Sequence, residues 1–418
     1  MNNCYTEVIT IKHIKKTESS ANRRIGDLYP HYLSSNLPMG KVLYSPTIGR
    51  DMPDHQIRRT SPKGGFFMSK LKTAESVTSG HPDKICDQIS DAILDSYLKK
   101  DPLSRVAVEA FGSHGLVVVG GEVTSKTKVP IKKIVKEVYD SIGYADKIKI
   151  VTNVVEQSPD IARGVDTGGA GDQGIMYGYA TNETPEFLPR TVVYAHRLAQ
   201  GLENLRRNNS LFSWLGPDGK TQVTMKDSDI TDVLISCQHK PEMNLSQIRN
   251  LVTENLIRPS LGGGDYRILI NPTGIFTLGG FQADTGLTGR KIMVDTYGGL
   301  IPHGGGCFSG KDPSKVDRSA AYMARFVAKN IVANKYAGQC LVSIAYAIGK
   351  REPLMIEAET FGTGDDFSIR QKIIKSFNFS PKGIIDLLGL QKPIYQKTAI
   401  YGHFGKPDLP WERIVKNF

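Results

Sequence analysis

Residues 295–331 constrain this chain more than any other stretch. An apolar run at 292–294 precedes them and predicts a strand. Beyond Asp317, apolar residues recur at steps of three and four, which predicts a helix whose buried face is Ala320, Met323, Ala324, Val327 and Ile331. A glycine-rich loop that closes on Lys311 joins the two elements. The pattern therefore predicts a strand–loop–helix unit of an α/β protein.

The loop carries residue types that suit a polyphosphate. Glycine lets backbone N–H groups approach a ligand closely, because it has no Cβ. Lys311 and Lys315 add two cations, and Asp312 and Asp317 alternate with them. Backbone donors, fixed cations and carboxylates together suit a polyphosphate with its magnesium. A glycine-rich surface loop with solvated lysines is the alternative.

The same loop nearly matches the phosphate loop of many nucleotide hydrolases, through Gly305-x-x-x-x-Gly310-Lys311. Asp312 follows, where that motif needs Ser or Thr to hold magnesium. The ordinary kinase or ATPase interpretation therefore fails at one chemically required position. It stays a competing hypothesis that an assay has to exclude.

Composition limits the class of protein. A chain of 418 residues predicts two or three domains, and no apolar run reaches the roughly 18 residues that span a membrane. Five scattered cysteines without a CxxC pair favour a reducing compartment, taken as the cytoplasm, and argue against a zinc site. The net charge is +11, of which about +6 falls after residue 67, and an excess of that size fits an anionic small substrate as well as nucleic acid. The sequence shows no dense basic stripe with interleaved aromatics, which argues against nucleic acid as a partner.

Residues 1–67 differ from the rest of the chain. They carry paired basic residues such as Lys15-Lys16 and Arg23-Arg24, but no sustained periodicity and no signal-peptide core. We expect an extension that is disordered or non-native, with Met68 as the natural start. An organellar transit segment is the alternative, although the acidic residues of the stretch argue against it.

A helix is predicted at 83–99, opened by Pro82 in its first turn. An acidic stripe follows it at four-residue steps, formed by Asp83, Asp87, Asp91 and Asp95. We expect the last three to form a solvated face. Asp83 differs because it shares the helix start with His81, and a carboxylate beside an imidazole there suits metal and phosphate together.

Further candidate ligands lie in strands and loops. Glu109 and Glu122 fall in or beside strand patterns, where an unpaired carboxylate is costly, so each meets a cation or substrate amine or lies on an exposed face. Residues 157–174 form a long loop with little apolar anchoring, which predicts a lid. A second glycine-rich loop, 279–291, carries Asp284, Arg290 and Lys291.

A weak repeat predicts the domain organisation. A helix followed by a strand recurs at 83–111, 189–225 and 317–348, and another helix follows each near 130, 245 and 368. Three similar α/β units, layered as in α+β proteins, would explain the length. We expect an N-terminal domain at 68–165, a central domain at 166–279 and a C-terminal domain at 280–418.

Several motifs together resemble those of the S-adenosylmethionine synthetase (methionine adenosyltransferase) family, bacterial type. They are Gly80-His-Pro-Asp-Lys84, Gly169-Ala-Gly-Asp-Gln-Gly174, Thr288-Gly-Arg-Lys291, the run 304–319, Lys392-Pro-Ile-Tyr395 and Tyr401-Gly-His-Phe-Gly405. The likeness covers about 70–413. The hexapeptide at 169–174 and the glycine-rich nonapeptide at 304–312 are the family's two signatures, and their joint occurrence is highly specific.

The resemblance implies a reaction, a fold and partners. The reaction is ATP + L-methionine + water → S-adenosylmethionine + phosphate + diphosphate, by sulfur attack on ribose C5′ and later hydrolysis of the triphosphate. The fold would be three α/β domains of like topology. The assembly would be a homodimer with active sites in its interface, paired into a dimer of dimers. The ions would be Mg²⁺, two per site, and K⁺.

The resemblance also implies a role for particular residues. The catalytic groups would be His81, Lys220, Arg290 and Lys311. ATP would contact His81, Asp218, Lys220, Ile275, Phe276, Asp284, Arg290, Lys291, Cys307 and Lys311. Methionine would contact Glu122, Gln157, Asp284 and Lys315, with Asp172 in the same wall. Magnesium would be held by Asp83 and Asp317, and potassium by Glu109.

Three positions depart from the usual pattern of that family. Ile275 stands where Arg is usual before Phe276, so the contact near the adenosine is expected to differ. Cys307 replaces a smaller Ala or Ser. The loop between Ile161 and Gly169 is several residues shorter than the common bacterial one, so its opening and closing rates are expected to differ.

We expect the chain shortened to Met68–Phe418 to form S-adenosylmethionine as the full chain does, because every motif lies after Met68. Parallel steady-state assays of the two proteins test this. A shortened protein that is folded but inactive would show that the extension has a function.

Overall fold

The computed structural model of the chain describes residues 71–156, 168–416 and 418. The extension 1–67, Gln157 and most of the expected lid lie outside the described residues. The described helices are α1 (Pro82–Leu98), α2 (Ile131–Ile142), α3 (Arg190–Asn208), α4 (Leu245–Val252), α5 (Arg258–Leu261), α6 (Ile292–Asp295), α7 (Val316–Ala333), α8 (Asp366–Ser376) and α9 (Pro381–Leu388). Among the described residues, no helix has the length and apolar character needed to cross a membrane.

The described strands form three sheets. The strands are β1 (Leu71–Val77), β2 (Arg105–Ser113), β3 (Leu116–Thr124), β4 (Lys149–Val155), β5 (Gly174–Thr181), β6 (Leu215–Lys226), β7 (Asp229–His239), β8 (Arg267–Ile270), β9 (Gly286–Leu287), β10 (Gln339–Tyr346) and β11 (Met355–Glu359). Their orders are β1-β6-β7-β8, β4-β3-β2-β9 and β11-β10-β5. The mixed helices and sheets confirm the predicted α/β class.

Each sheet takes one strand from a distant part of the chain. β1 pairs antiparallel with β6, so that Val77 lies opposite Lys220. In the same way β5 pairs with β10, and β9 pairs with β2. Consecutive thirds of the chain therefore interlock through their first strands. The domain boundaries at 165/166 and 279/280 stay a prediction. Every sheet among the described residues combines strands from two different thirds of the chain, so the sheets do not mark these boundaries.

The repeat of helix and strand is confirmed in α1–β2, α3–β6 and α7–β10, with α2, α4 and α8 as the later helices. The strand predicted at 292–294 is wrong. These residues form the short helix α6, in which Asp295 N donates to Lys291 O at 2.9 Å. A short apolar run cannot distinguish a buried strand from a buried helical turn, and here Val294 and Asp295 are both buried.

The solvated acidic face expected on α1 is also wrong. Asp87 and Asp91 are fully buried, and Asp95 is partly buried. Lys84 pairs with Asp87 at 2.8 Å, and Arg318 pairs with Asp91 at 2.7 Å. These aspartates are buried because cations and loops from other parts of the chain pack over a helix face that looks polar in isolation.

α7 runs through the larger hydrophobic core and is buried along almost its whole length. It brings Arg325 and Lys329 into the core, where they contact Glu412 at N–O distances of 2.9 and 2.7 Å. Burial alone would raise the pKa of Glu412, but the two cations lower it. The carboxylate therefore stays ionised and compensates both charges.

We expect Glu412→Gln to lower the free energy of unfolding by about 3–5 kcal/mol, because it leaves buried cations without their partner charge. Glu183→Gln is the control; its pair with Lys72 at 3.4 Å is partly exposed, so the cost should be about 1 kcal/mol or less. Chemical denaturation near pH 7 measures both.

The contribution of Glu412 also has a defined pH dependence. Since the folded-state pKa is lowered, the stabilisation is present above the ordinary carboxyl range and is lost as the pH falls through the folded-state pKa. Glu412→Gln and the parent should therefore converge in acid. Equal losses for Glu412→Gln and Glu183→Gln would contradict this account of the core.

Candidate active site

The start of α1 brings an imidazole and a carboxylate together with the second glycine-rich loop. His81 caps the helix, and its Nδ1 accepts a hydrogen bond from Asp83 N at 3.2 Å. Asp83 Oδ1 accepts from Leu287 N at 3.0 Å, and Oδ2 accepts from Lys291 Nζ at 2.6 Å. Arg290 Nε lies 3.8 Å from Asp83 Oδ1. Loop 286–291 is therefore tied to the helix N-terminus through one buried carboxylate.

His81 is neutral, and the cations that surround it favour the neutral state. Burial, followed by the charges of Lys291, Lys220, Lys84 and Arg290, lowers the pKa of His81 to about 2. Because Nδ1 accepts a bond from the backbone, the single proton of the neutral ring lies on Nε2. The imidazole therefore offers an N–H donor to a ligand without carrying a charge of its own.

The pairing of β1 with β6 brings Lys220 to the same place. Val77 lies opposite Lys220, and Thr78 N donates to Gly219 O at 2.9 Å. The Lys220 side chain is exposed, yet its charge reaches His81. Three separate segments thus direct cations at one imidazole.

Asp218 lies two residues before Lys220 and is buried. Its Oδ2 accepts from Gly280 N at 2.9 Å, whereas its Oδ1 has no hydrogen-bond partner among the described residues. Burial raises the pKa of Asp218 to about 6, and the charge of nearby Asp284 adds to the effect. An unpartnered buried acceptor is costly, so this oxygen is available for a ligand hydroxyl.

The long glycine-rich loop is held by β2. Val108 N donates to Gly310 O at 3.1 Å, and Asp312 N donates to Val106 O at 3.0 Å. Asp312 Oδ2 also accepts from Val106 N at 2.7 Å. This short ladder fixes the backbone on both sides of Lys311.

The cations of that loop are paired with carboxylates of the same segment. Lys311 Nζ donates to Asp317, and Lys315 Nζ donates to Asp312. Burial alone would lower the pKa of Lys311, but Cys307 and Asp317 raise it. Lys311 is therefore a cation that is partly buried.

One row across the sheet places two candidates on a common face, and a third lies two residues farther along β2. Ala107 of β2 lies opposite Glu122 of β3 on one side and opposite Lys311 on the other. Paired residues project to the same face, so Glu122 and Lys311 are about 10 Å apart, two strand spacings. Glu109 follows Ala107 by two residues on that face and is exposed.

The two glycine-rich loops meet at Gly289 and Cys307. A Cβ built on Gly289 would lie 2.4 Å from Cys307 Cβ, so the Cys307 side chain lies directly against the Gly289 backbone. Arg290 and Lys291 follow the first of these residues, and Lys311 follows the second by four positions. The cations beside His81 and those beside Asp317 therefore belong to one site.

Other predicted ligands lie farther out. Phe276 N donates to His239 Nε2 at 3.1 Å, and Asp284 is exposed, with its Oδ1 accepting from Thr285 N at 2.7 Å. Asp172 is exposed as well. Ile275 has 79% of its surface exposed, which is unusual for a large apolar residue and leaves it free to contact a ligand. Gln157 lies outside the described residues.

Three consecutive stretches match the domains described as S-adenosylmethionine synthetase, namely the N-terminal domain at 69–159, the central domain at 167–276 and the C-terminal domain at 278–413. The chain belongs to the S-adenosylmethionine synthetase family. It is similar to the S-adenosylmethionine synthase of Desulforudis audaxviator, at 51% identity over 381 residues, which cover 83% of this chain and 96% of the relative.

Two further relatives of the same name support the assignment. The enzyme of Pseudothermotoga lettingae is 49% identical over 385 residues, covering 83% of this chain and 97% of the relative. That of Sorangium cellulosum is 50% identical over 367 residues, covering 82% and 87%. The resemblance drawn from the motifs is thereby confirmed over most of the chain.

In this member of the S-adenosylmethionine synthetase family, sequence patterns did not reveal the residues that hold the site loops. Asp87, Asp91 and Arg318 are buried beneath the loops and bind their backbone. One signal was present, since four aspartates at the helical repeat are a strong pattern on a helix whose other residues are mostly apolar. The pattern also fits a helix face exposed to solvent, because the glycines that bind Asp87 and Asp91 lie about 200 positions away in sequence.

We expect the stability of the parent protein to fall as the pH rises from about 4 to 7 through Asp218, because the folded-state pKa of about 6 exceeds the roughly 3.9 of an unfolded carboxyl. Asp218→Asn removes this term. Its free energy of unfolding relative to the parent should therefore increase by about 3 kcal/mol over that range, at about 1.4 kcal/mol per pKa unit.

Denaturation of the ligand-free proteins at several pH values tests this. Asp229→Asn is the control, since Asp229 is exposed at the start of β7. A difference between Asp218→Asn and the parent that does not change with pH would contradict the assignment.

Proposed function

We propose that this chain forms S-adenosylmethionine from ATP and L-methionine and then hydrolyses the triphosphate to phosphate and diphosphate. The observation that carries the proposal is the convergence of His81, Lys220, Arg290, Lys291 and Lys311 where two glycine-rich loops touch. The relatives at about half identity bear the name of this activity.

The chemistry fits a site built from cations. A thioether sulfur that attacks ribose C5′ carries no proton, so the step needs no general base. The difficulty is the leaving triphosphate, whose charge grows as the C–O bond breaks. Donors aimed at developing charge are often the largest catalytic term, and loss of one costs about 3 kcal/mol. Lys220, Arg290, Lys311 and the Nε2–H of His81 supply such donors here.

We assign the two substrates to different parts of the site. ATP is placed against Asp218, Phe276 and Ile275 at its nucleoside end, where the free Asp218 Oδ1 can accept a ribose hydroxyl. Its phosphates then reach the cations, with Cys307 at the loop contact. Methionine is assigned to Glu122, Asp284, Lys315 and Gln157, since carboxylates suit its ammonium and a lysine suits its carboxylate.

Magnesium fits the carboxylates on the phosphate side. Mg²⁺ usually takes one or two protein carboxylates and completes its shell with water and phosphate oxygens. Asp83 and Asp317 each face a lysine ammonium that a bound triphosphate would attract away. The described residues include no group of three or more His, Cys, Asp or Glu that would form a closed metal site, so ATP would provide further ligands. We assign two Mg²⁺ to Asp83 and Asp317, where they would neutralise triphosphate charge.

Potassium, assembly and compartment complete the proposal. We assign K⁺ to the exposed carboxylate of Glu109. The sheet face that carries Glu109 also exposes Phe111, which supports a homodimer with active sites between subunits, and a dimer of dimers beyond it. Sedimentation analysis tests the assembly. The free thiols of Cys86, Cys237, Cys307 and Cys340 support a reducing compartment, for which we propose the cytoplasm.

One assay separates the synthetase from a kinase or ATPase. Incubation with ATP and methionine should yield S-adenosylmethionine with phosphate and diphosphate in equal amounts. A phosphoryl-transfer enzyme would instead yield ADP. ADP formation without S-adenosylmethionine would overturn the proposed function.

We expect Lys311→Met to lower the saturated rate about a hundredfold or more while the KM for methionine is nearly kept. Lys311 lies between backbone bonds to β2 and should meet phosphate, whose charge grows in the transition state. Lys315→Met should mainly raise the KM for methionine, as loss of uniform binding does. Steady-state kinetics with each substrate varied measures both, and the reverse assignment of effects would refute this placement.

A further inference from the structure

The four aspartates of α1 share one property that their four-residue spacing, typical of a solvated helix face, does not reveal. Each accepts backbone N–H groups from a segment far along the chain. Asp83 accepts from Leu287 at 3.0 Å, Asp87 from Gly289 at 2.8 Å and Asp91 from Gly310 at 2.8 Å. Asp95 accepts from Tyr395 at 2.9 Å and from Gln396 at 2.9 Å. One helix face thus holds the backbone of three other segments.

Two of these bonds end next to the cations of the candidate site. Gly289 immediately precedes Arg290, and Gly310 immediately precedes Lys311. Both glycines have a left-handed φ of 80°, which an L side chain rarely adopts. A Cβ on Gly310 would also lie 1.9 Å from Val108 O. Each carboxylate therefore binds, and helps to fix, a backbone conformation that glycine adopts readily and other residues rarely adopt.

Each of these two carboxylates is fixed by a buried cation. Lys84 Nζ donates to Asp87 at 2.8 Å and to Asp295 at 2.5 Å. Arg318 donates to both oxygens of Asp91, at 2.7 and 2.9 Å. Charge-assisted bonds of this kind are stronger and more directional than neutral ones.

The Arg318 guanidinium also reaches the loop directly. Its NH1 donates to Lys311 O at 3.0 Å, so the peptide units on both sides of the Gly310–Lys311 bond are held, one through N–H and one through C=O. The guanidinium lies 4.2 Å from the centre of the Tyr395 ring, which limits its movement.

We propose that Asp87 and Asp91 are positioning residues, which set the placement of Arg290 and Lys311 through the backbone N–H groups of Gly289 and Gly310. The inference rests on the proposed function, because it assumes that these two cations meet the triphosphate. Neither aspartate touches substrate. Their effect is transmitted because adjacent turns of one rigid helix fix the separation of two loops.

Displacing either cation should lower the saturated rate. A misplacement of about 1 Å caused by a mutation away from the chemistry can cost about a hundredfold in rate. Binding of methionine should change little. Glu122 lies on β3, Asp284 precedes the Gly289 contact, and Lys315 is paired with Asp312, which is bound to β2 and not to α1. The expected signature is a lowered kcat with a nearly constant KM for methionine.

The test uses the full chain with alanine at successive turns of α1. Asp87→Ala keeps Lys84 paired with Asp295, and Asp91→Ala is made together with Arg318→Met so that no cation is left unpaired. The matched control for Asp87→Ala is Asp95→Ala. Asp95 is on the same helix face but holds the segment at 395–396, which contacts Arg318 through Tyr395 and not the Gly289 loop. Circular dichroism and thermal unfolding establish that each protein is folded.

We expect kcat to fall about a hundredfold for Asp87→Ala and for Asp91→Ala/Arg318→Met, with the KM for methionine within about threefold. Asp95→Ala should keep kcat within about twofold even if it unfolds at a lower temperature. Asp87→Asn, whose amide oxygen can still accept from Gly289, should recover about tenfold in kcat over Asp87→Ala, as one hydrogen bond would give.

Equal effects on kcat at positions 87 and 95, or a kcat for Asp87→Ala equal to that of the parent, would overturn the proposal. If an alanine variant does not fold, the asparagine variant at the same position is compared with Asp95→Asn and the same two outcomes decide. A parent protein that forms no S-adenosylmethionine would instead refute the proposed function.

Discussion

The site depends on carboxylates that are buried along α1. An ionised carboxylate in the interior is stable only when donors surround it. On this helix the donors are backbone N–H groups of distant loops together with Lys84 and Arg318. Because residues four apart on a helix are separated by about 6 Å along its axis, the loops are held at the helical repeat. The helix thereby determines where the loops, and the cations on them, can lie.

The site is electrostatically prepared for an anion before any ligand arrives. His81 lies among cations and is neutral, because both burial and those charges lower its pKa. In the ligand-free protein, the charges of Lys291 and Lys311 are balanced by Asp83 and Asp317. In the function proposed above, an arriving triphosphate would take over these lysines and leave the carboxylates for metal ions. Donors that are already in place need little reorganisation as charge develops, which is how such sites lower barriers.

The interlocked sheets explain why the site forms where it does. β9 leaves the C-terminal third to pair with β2, and loop 286–291 therefore lies against the start of α1. β1 pairs with β6 and brings Lys220 beside His81. The contacts that assemble the site are the same contacts that join the thirds of the chain. Stability and function thus share these interactions, so a change to one of them affects both.

Local sequence determined the class of fold and most helices, and it predicted the chemistry of the loops. The helix after Asp317 followed from its apolar period, and the glycine-rich loop with Lys311 already indicated phosphate binding. The family motifs gave a list of candidate ligands, but no sequence period could give their arrangement. Short-range rules failed for residues 292–294, which form a helical turn because burial overrode an ambiguous apolar run.

Tertiary structure alone decided the partners of charged groups. Asp87 and Asp91 follow the period of a solvated helix face, yet they are buried, because Gly289 and Gly310 reach them from about 200 positions away. Whether an aspartate faces water or a backbone N–H depends on which segment packs over it. That is a property of the whole fold, and the spacing of the aspartates along α1 does not specify it.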